Sequence, residues 1–430
     1  MREKDLRRGF SVLMVVLCIF CVSSNTHGSG FAVYTQGASS LGQGAATIAH
    51  TDDPSAIFWN PALINKLEGT QIQLGTTIIF PSRKFESDIT GETFKTEPDV
   101  FFPSTLFITH KFNDKISVGL GVFNPFGLAT KWPDDWEGRY IATNSEMTTF
   151  NINPVMSYQI TPHIAFAAGV DFLLLDATLE KKINLAAFTF PIPFPDGGQK
   201  FEGDGSGVGY NFGILIEPHK NIAIGASYRS EIKVDIDGNA NFSLPAGTPQ
   251  PISLLFPNTL GSTDITLPQQ IHAGICYKGF APLTLEAALR WEGWSSYDKL
   301  QIHLDKPVAG SQTSIEPKNW DNTYSFSIGA KYQMNNSISL LAGYLYGGNP
   351  IPDETFEPAI PDANTHLFCI GTAIKQKNFK IDLVYGYQIL QNRVKNNAIT
   401  DPISGLTAFS ANGTYKSHLH MVGVSLTYTF

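Results

Sequence analysis

Apolar and small or polar residues alternate one by one along most of this chain. Val208, Tyr210, Phe212, Ile214 and Ile216 are interleaved with Gly207, Gly209, Asn211, Gly213 and Leu215. Ile222, Ile224, Ala226 and Tyr228 repeat the pattern, as do Tyr324, Phe326, Ile328, Ala330 and Tyr332, and then Ile381, Leu383, Tyr385, Tyr387 and Ile389. It returns in Val422, Val424, Leu426, Tyr428 and Phe430, separated by Gly423, Ser425, Thr427 and Thr429. A strand points successive side chains to opposite faces, so each run has one apolar face and one small or polar face. Two-sheet sandwiches alternate too, but they bury bulky side chains between their sheets. The Gly- and Ser-rich second face here fits a wet or plugged lumen, and the apolar face fits lipid. The fold class predicted is all-β, a transmembrane barrel, whose closure leaves no open edge in the bilayer.

Short polar turns punctuate the strands at 113–115, 161–163, 217–220, 278–282, 334–337 and 375–378, with longer connections between them. That rhythm predicts an antiparallel barrel with short turns on one membrane side and long, extracellular loops on the other. Fourteen strands are expected, near 69–86, 98–112, 115–124, 143–160, 163–182, 202–217, 221–240, 262–278, 281–304, 322–334, 337–349, 361–375, 379–395 and 413–430. The runs at 98–112 and 361–375 alternate poorly, but the number must be even, because both ends close on the same side. A bilayer crossing takes about 9–11 tilted residues, so several strands should extend beyond the membrane.

Two regions fall outside the pattern. Residues 1–28 read as a cleaved signal peptide, with Arg2, Lys4, Arg7 and Arg8 before an apolar stretch from Phe10 to Val22 and small residues at Thr26 and Gly28. Residues 29–66 are nearly uncharged at their start and rich in Gly, Ala and Ser. They are too apolar for a disordered tail and too short for a core of their own. They read either as a plug in the lumen or as an extra strand or tail; residues 67–430 form the barrel.

Composition agrees with a large exported β protein. Of 430 residues, 43% are hydrophobic and 12% aromatic, below what a helical membrane bundle needs and rich enough for aromatic girdles. The net charge of −8 becomes −10 once four basic and two acidic residues leave with 1–28, which argues against nucleic acid as a partner. Cys276 and Cys369, assigned to the eighth and twelfth strands, should be too far apart for a disulfide and remain free thiols.

The chain has no G-x-S-x-G, P-loop or H-E-x-x-H. No enzyme activity, cofactor or metal is expected. His418 and His420 share a strand face, but two imidazoles without a third ligand fit an interfacial aromatic belt better than a metal site. Arg229 shares its face with Gly225 and Ser227, so it should point inward, with Glu231, Lys233, Asp235 and Asp237 following on that face. Their alternating signs read first as a structural lumen network and second as a clamp for an anionic ligand.

Two long connections carry apolar clusters. One holds Leu185, Phe188, Phe190, Ile192 and Phe194; the other holds Ile252, Leu254, Leu255 and Phe256. They form a hydrophobic capture site, or they cap the barrel by packing on each other. Pro125 and Gly127 lie where the third strand should continue. Proline removes a ladder donor and glycine marks bends, so the strand either breaks within the wall or simply ends at Phe123.

Several segments together resemble one known family. They are Gly30-Phe31, then Ala49 to Ala62 with Asn60-Pro61-Ala62, Asn124-Pro125-Phe126-Gly127 through Thr130, and Trp136 to Tyr140. Ser227 to Asp235, Trp294-Ser295, Trp320-Asp321 and Ile360-Pro-Asp362 follow in order. The chain from about residue 29 onward resembles the FadL/TodX outer-membrane transporters of long-chain fatty acids and hydrocarbons. Three residues such as Asn-Pro-Ala recur by chance; the ordered set within one barrel pattern is specific.

The resemblance implies a 14-stranded antiparallel barrel whose lumen is closed by residues 29–66 as a hatch. Hydrophobic ligand would be captured at the extracellular loops, pass to an inner pocket and leave sideways through a gap made by an inward kink at Asn124–Gly127, once the hatch rearranges. Phe31 matches the near-terminal residue that reaches the pocket, and Lys181 or Lys182 and Lys318 lie near the family's ligand-binding cations. Without a cation there, a neutral hydrocarbon becomes the better cargo. Expected partners are the hydrophobic ligand, outer-membrane lipid and lipopolysaccharide, and the barrel assembly machinery, with the chain a monomer. The rival reading is a passive channel or porin, or a structural barrel with adhesive loops.

Overall fold

A computed structural model describes residues 30–400, 407–408 and 411–430; the signal peptide expected at 1–28 lies outside the described residues. Fourteen antiparallel staves close into one barrel. In chain order they are β1 (Thr70–Ser87), β2 (Thr93–Lys95 and Ser104–Lys111), β3 (Ile116–Phe123 and Gly127–Lys131), β4 (Asn144–Thr161), β5 (Ile164–Ile183) and β6 (Gly197–His219). β7 (Ile222–Arg229 and Ile232–Ser243), β8 (Thr259–Leu267 and Gln270–Phe280), β9 (Leu283–Glu292 and Lys299–Val308) and β10 (Ser311–Pro317 and Thr323–Gln333) follow. β11 (Ile338–Gly347), β12 (Thr365–Gln376), β13 (Phe379–Leu390 and Arg393–Lys395) and β14 (Gly413–Thr429) complete the ring. Closure is made by β1 against β14, from Gln71 facing Thr429 to Ser87 facing Gly413.

The expected strand boundaries hold to within a few residues at most sites. β6 begins earlier than its alternation implied, and the strand expected at 281–304 is interrupted by a single 3-10 turn, Trp294–Ser296. Exposed Phe150, Phe172, Leu174, Phe212, Ile328 and Ile370 belong to the apolar outer face. His420 is also exposed there, its Nδ1 2.7 Å from the Tyr385 hydroxyl. Cys276 and Cys369 are buried and free, on β8 and β12 as expected.

Residues 37–67, from which residues 30–36 run toward the loop end, sit inside the ring at its turn end. Their short helices, α1 (Ala38–Gly42) and α2 (Ala56–Trp59), and the 3-10 turn Pro61–Lys66 pack on wall strands all round the barrel. Asn60 organises the last of these. Its Oδ1 accepts from Ala62 N at 3.1 Å, and Pro61 takes the first turn, where its missing N–H is no loss. The Asn60 amide also donates to Ile48 O at 2.8 Å and to Ile214 O on the wall at 3.0 Å. Such contact leaves no room for side chains on the wall. A Cβ at Gly225 would stand 2.0 Å from Ile48 O, and one at Gly213 would stand 2.4 Å from Asn60 Oδ1. The glycines of the lumen face are therefore the seats of this segment.

One expectation fails on β7. Arg229 points inward and is buried, but Glu231, Lys233, Asp235 and Asp237 face out, while Ile232, Val234 and Ile236 are buried inside. The cause is an irregularity at Ser230–Glu231. Arg229 faces Asn211 on β6, whereas Asp235 faces Ser206, one residue out of step. A one-residue slip sends every later side chain to the other face. Outside, Glu202, Asp204 and Asp176 on neighbouring strands are exposed at the same height, so the lipid-facing band ends near Leu174 and Val208 and the wall continues beyond the bilayer.

Candidate functional site: a wall gap and a two-part lumen

Ladder pairing of the third strand is interrupted between Phe123 and Gly127. Its first half pairs with both neighbours, Val122 facing Leu106 on β2 and Ile152 on β4. Its second half, Gly127–Lys131, keeps only the β4 ladder, from Gly127 facing Thr148 to Lys131 facing Asn144. On the β2 side, Glu97 N to Lys131 O at 2.8 Å is the sole backbone bond rejoining the strands beyond the break, among the described residues. Phe101 and Pro103 stay bonded to β1 instead, through Ile79 and Thr77. The backbone groups freed at the kink turn inward. Val33 N donates to Pro125 O and Gly127 N donates to Phe31 O, both at 2.9 Å, so residues 31–33 act as a replacement strand.

Side chains hold that kink. Thr149 on β4 accepts from Phe126 N at 3.1 Å and donates to Phe126 O at 2.6 Å, while Asn124 donates to Thr149 O at 2.6 Å. Gln36 donates to Asn124 O at 2.5 Å. Neither Thr149 nor Gln36 was legible in the sequence, since one Thr on a strand and one Gln in an apolar segment carry no pattern.

Phe31 is buried at the centre of an aromatic cage. Its ring centroid lies 4.5 Å from Trp294, 5.4 Å from Trp320, 6.0 Å from Tyr297 and 6.2 Å from Phe126, mostly edge to face. The preceding Gly30 N donates to Asp362 Oδ2 at 2.9 Å. Burial pushes the Asp362 carboxyl up to about 7, against the pull of the Gly30 N–H. The separate sequence segments around Phe31, Phe126, Trp294, Trp320 and Asp362 thus meet in one place.

Two cavities share this cage. One, of about 450 Å³, runs from Phe31 and Phe126 to Phe101, Phe102 and Phe150 at the break in the wall. Phe102 and Phe150 are exposed outside, so this cavity lies behind the gap. The other, of about 120 Å³, rises toward the loop end between Leu175, Leu179, Phe201, Ile236 and Ile302. Phe31, Leu128, Glu146 and Met147 line both.

Lys181 and Lys318 line the smaller cavity, beside Glu146, Glu180, Glu316 and Glu357. Lys318 is buried and ion-paired with Glu357 and, at 3.1 Å, with Glu316. Burial opposes its charge, but the two carboxylates outweigh it and hold the ammonium well above the usual lysine range. Lys182 pairs with Asp134 instead. Arg229 lines neither cavity. It is ion-paired with Asp171, which also accepts from Asn151 and Asn211, and its guanidinium lies over Phe58 and Phe123. The partners of Arg229 are therefore Asp171 and its two asparagines, not the Glu231–Asp237 set expected on its strand.

The two apolar loops meet. Phe188 packs edge-on against Phe256 at 5.5 Å, Phe256 is buried and Phe194 is half-buried against the same cluster. Phe190 and Leu254 stay 85% and 71% exposed, and Leu255 lies at the margin, so packing leaves an apolar rim outside.

The inner segment is tied to the wall by charge as well. Asp52 pairs with Lys331 and, at 2.9 Å, with Lys380; Asp53 lies 3.1 Å from the same lysine. Burial works against the Asp52 charge, yet Lys380 and Lys331 hold its carboxyl far below the usual range.

A closed, plugged antiparallel barrel with an apolar outer band defines an outer-membrane transport barrel. The chain belongs to the family described as "Outer membrane protein transport protein (OMPP1/FadL/TodX)", which it matches over residues 19–430. It is 25% identical to a putative outer membrane protein of Neisseria meningitidis over 95% of this chain and 96% of that one. It is also 25% identical to a long-chain fatty acid transport protein of Salmonella typhi, over 90% and 93%. The fold matches a Pseudomonas aeruginosa FadL homologue at a TM-score of 0.84, with 20% identity over 94% of this chain and all of that one. It matches the Pseudomonas putida toluene transporter TodX at 0.71, with 18% identity over 92% and 98%. The protein is placed in the outer membrane on this membership.

Proposed function

We propose that this protein carries hydrophobic small molecules inward across the outer membrane and releases them sideways, through the gap between β2 and β3. The apolar rim at Phe190, Leu254 and Leu255, with Phe188, Phe194 and Phe256 beneath, takes cargo from water, where apolar surface costs roughly 25 cal/mol per Å². The apolar lumen above Phe31 receives it. Phe31 separates that space from the cavity behind Asn124–Gly127, and movement of the arm at 30–36 joins the two. Residues 29–66 serve as the hatch, with Asn60-Pro61-Ala62 as its fixed seat. The observation that carries this reading is the exchange of partners at the kink. The third strand gives up β2 and bonds residues 31–33, so the same hydrogen bonds that hold the arm hold the wall open.

The pocket favours a neutral cargo over a carboxylate. Lys318 is already met by two carboxylates, and Glu146 lines the same cavity beside Lys181. Relatives include both a fatty acid transport protein and a toluene transporter; the charge supports a preference for the hydrocarbon.

The test is uptake of toluene and of oleate into liposomes by the wild type and by a Pro125→Thr, Phe126→Val, Gly127→Thr variant. Saturable toluene uptake, abolished in the variant while its heat-modifiable migration stays that of a folded barrel, is the expected result. Unchanged uptake in the variant would overturn the lateral route. Strong ion conductance by the wild type would favour a passive channel, and oleate taken up in preference to toluene would refute the neutral-cargo assignment.

A further inference from the structure

Where the inner segment meets the wall, three metal-ligand side chains converge from distant parts of the chain. His50 comes from the segment, Cys276 from β8 and Glu286 from β9. All three are buried, and one donor atom of each lies within 4.8 Å of the others. We propose that His50 Nδ1, Cys276 Sγ and Glu286 Oε2 form a binding site for a divalent transition-metal cation of the zinc class, pinning the N-terminal segment to the barrel wall.

The surroundings aim two of the donors at the common point. The outer nitrogen of His50, Nε2, lies 2.9 Å from Gln43 Oε1, and the Gln43 amide is fixed by donating to Ser39 O at 3.2 Å. Gln43 therefore selects the tautomer protonated at Nε2 and leaves Nδ1 to a metal, the device that commonly orients metal-bound imidazoles. Glu286 is held in the same way. Its Oε1 accepts from Ile48 N and, at 3.0 Å, from Ala49 N, which leaves Oε2 turned toward His50 Nδ1 at 2.6 Å. The soft sulfur, imidazole nitrogen and carboxylate oxygen match the preferences of zinc.

The charge balances in a buried site. Without metal, the two ring nitrogens face two acceptors, so the imidazole is an imidazolium beside one carboxylate and a neutral thiol. A divalent cation replaces two protons, one from Nδ1 and one from Sγ. The product holds one thiolate, one carboxylate and one neutral imidazole around the dication, and remains neutral. No redox partner is required.

Cobalt(II) is the probe, because a thiolate ligand gives it a charge-transfer absorption band that imidazole and carboxylate alone do not. The purified, reduced mature protein, folded in detergent, would be loaded both by incubation with cobalt and by refolding from urea with cobalt present. One cobalt per chain with the thiolate band, displaced by zinc, is the expected result. Cys276→Ser should lose the band, while Gln43→Leu should weaken binding roughly 10–100-fold as a positioning residue. Zinc should raise the thermal midpoint of the wild type and leave Cys276→Ser unchanged. No band by either loading route overturns the proposal, and this reading needs no variant to fold. Binding without the band assigns the metal to surface imidazoles such as His418 and His420, and also overturns it.

Discussion

The two halves of this barrel are built from the same strands on opposite rules. In the turn half, the lumen wall is polar or glycine: Asn151, Asp171, Arg229, Glu286 and Ser327 are buried inside, and apolar side chains face lipid. In the loop half, Leu175, Phe201, Val234, Ile236 and Ile302 face in, and Asp176, Glu202, Lys233 and Asp235 face out. The change takes only a few residues, between Asp171 and Leu173 on β5 and between Arg229 and Ile232 on β7. The difference follows from what lies outside. Where the wall meets lipid, polar groups must be satisfied inside by the plug; where it meets water, the apolar face is free to line a path for apolar cargo.

That contrast can be broken most forcefully by charging the apolar lumen. Val234→Asp places an unpaired carboxylate at a fully buried site and should cost roughly 3–5 kcal/mol, whereas Asp235→Asn one position on should stay within about 0.5 kcal/mol. Urea midpoints of folding into vesicles measure both, and equal effects would erase the assigned inversion. Next, Phe31→Ala should remove roughly 3 kcal/mol of local packing where the halves meet. Hydrogen exchange at Val33 and Gly127 would speed up, while exchange at Ala62 would not change. In the turn half, Gly225→Ala drives a Cβ into Ile48 O and should cost about 1–3 kcal/mol. Planar-bilayer conductance should rise as the segment leaves its seat, and an unchanged conductance would show that the glycine is not a seat.

A pH dependence is expected at the loop end. Asp362 stands at about 7 when folded, above its ordinary value of 3.8, because burial disfavours its charge. Between those values the folded chain holds the extra proton. Its contribution to stability is therefore greatest below pH 3.8 and declines as pH rises to about 7, then levels off. Asp362→Asn should remove that slope from thermal midpoints measured across the window; a slope that survives would belong to another group.

Much of the fold was legible because strand alternation is a local property. The period of two and the short turns follow from residues a few positions apart. Pro125 marked an interruption for the same reason, since proline acts on its own ladder, but left open whether the strand would resume. The pocket was harder. Phe31, Trp294, Trp320 and Asp362 lie in segments that the family resemblance marked, but no spacing brings them together. The pairing of Lys318 with Glu357 rests on a loop fold, and Thr149 shows no signal at all.

The sequence alone determined that strands would close a barrel, that its outer face would be apolar and that residues 29–66 needed a host. It could not determine which alternate set faces inward at a given height. That choice turns on a one-residue slip at Ser230–Glu231, which swaps faces while keeping the same period, and on where the bilayer ends. Tertiary structure also decided which charges are left for a ligand, because Arg229 and Lys318 look like free cations until closure sets Asp171, Glu316 and Glu357 beside them. Alternation is written in neighbours along the chain; facing and pairing are written only across the ring.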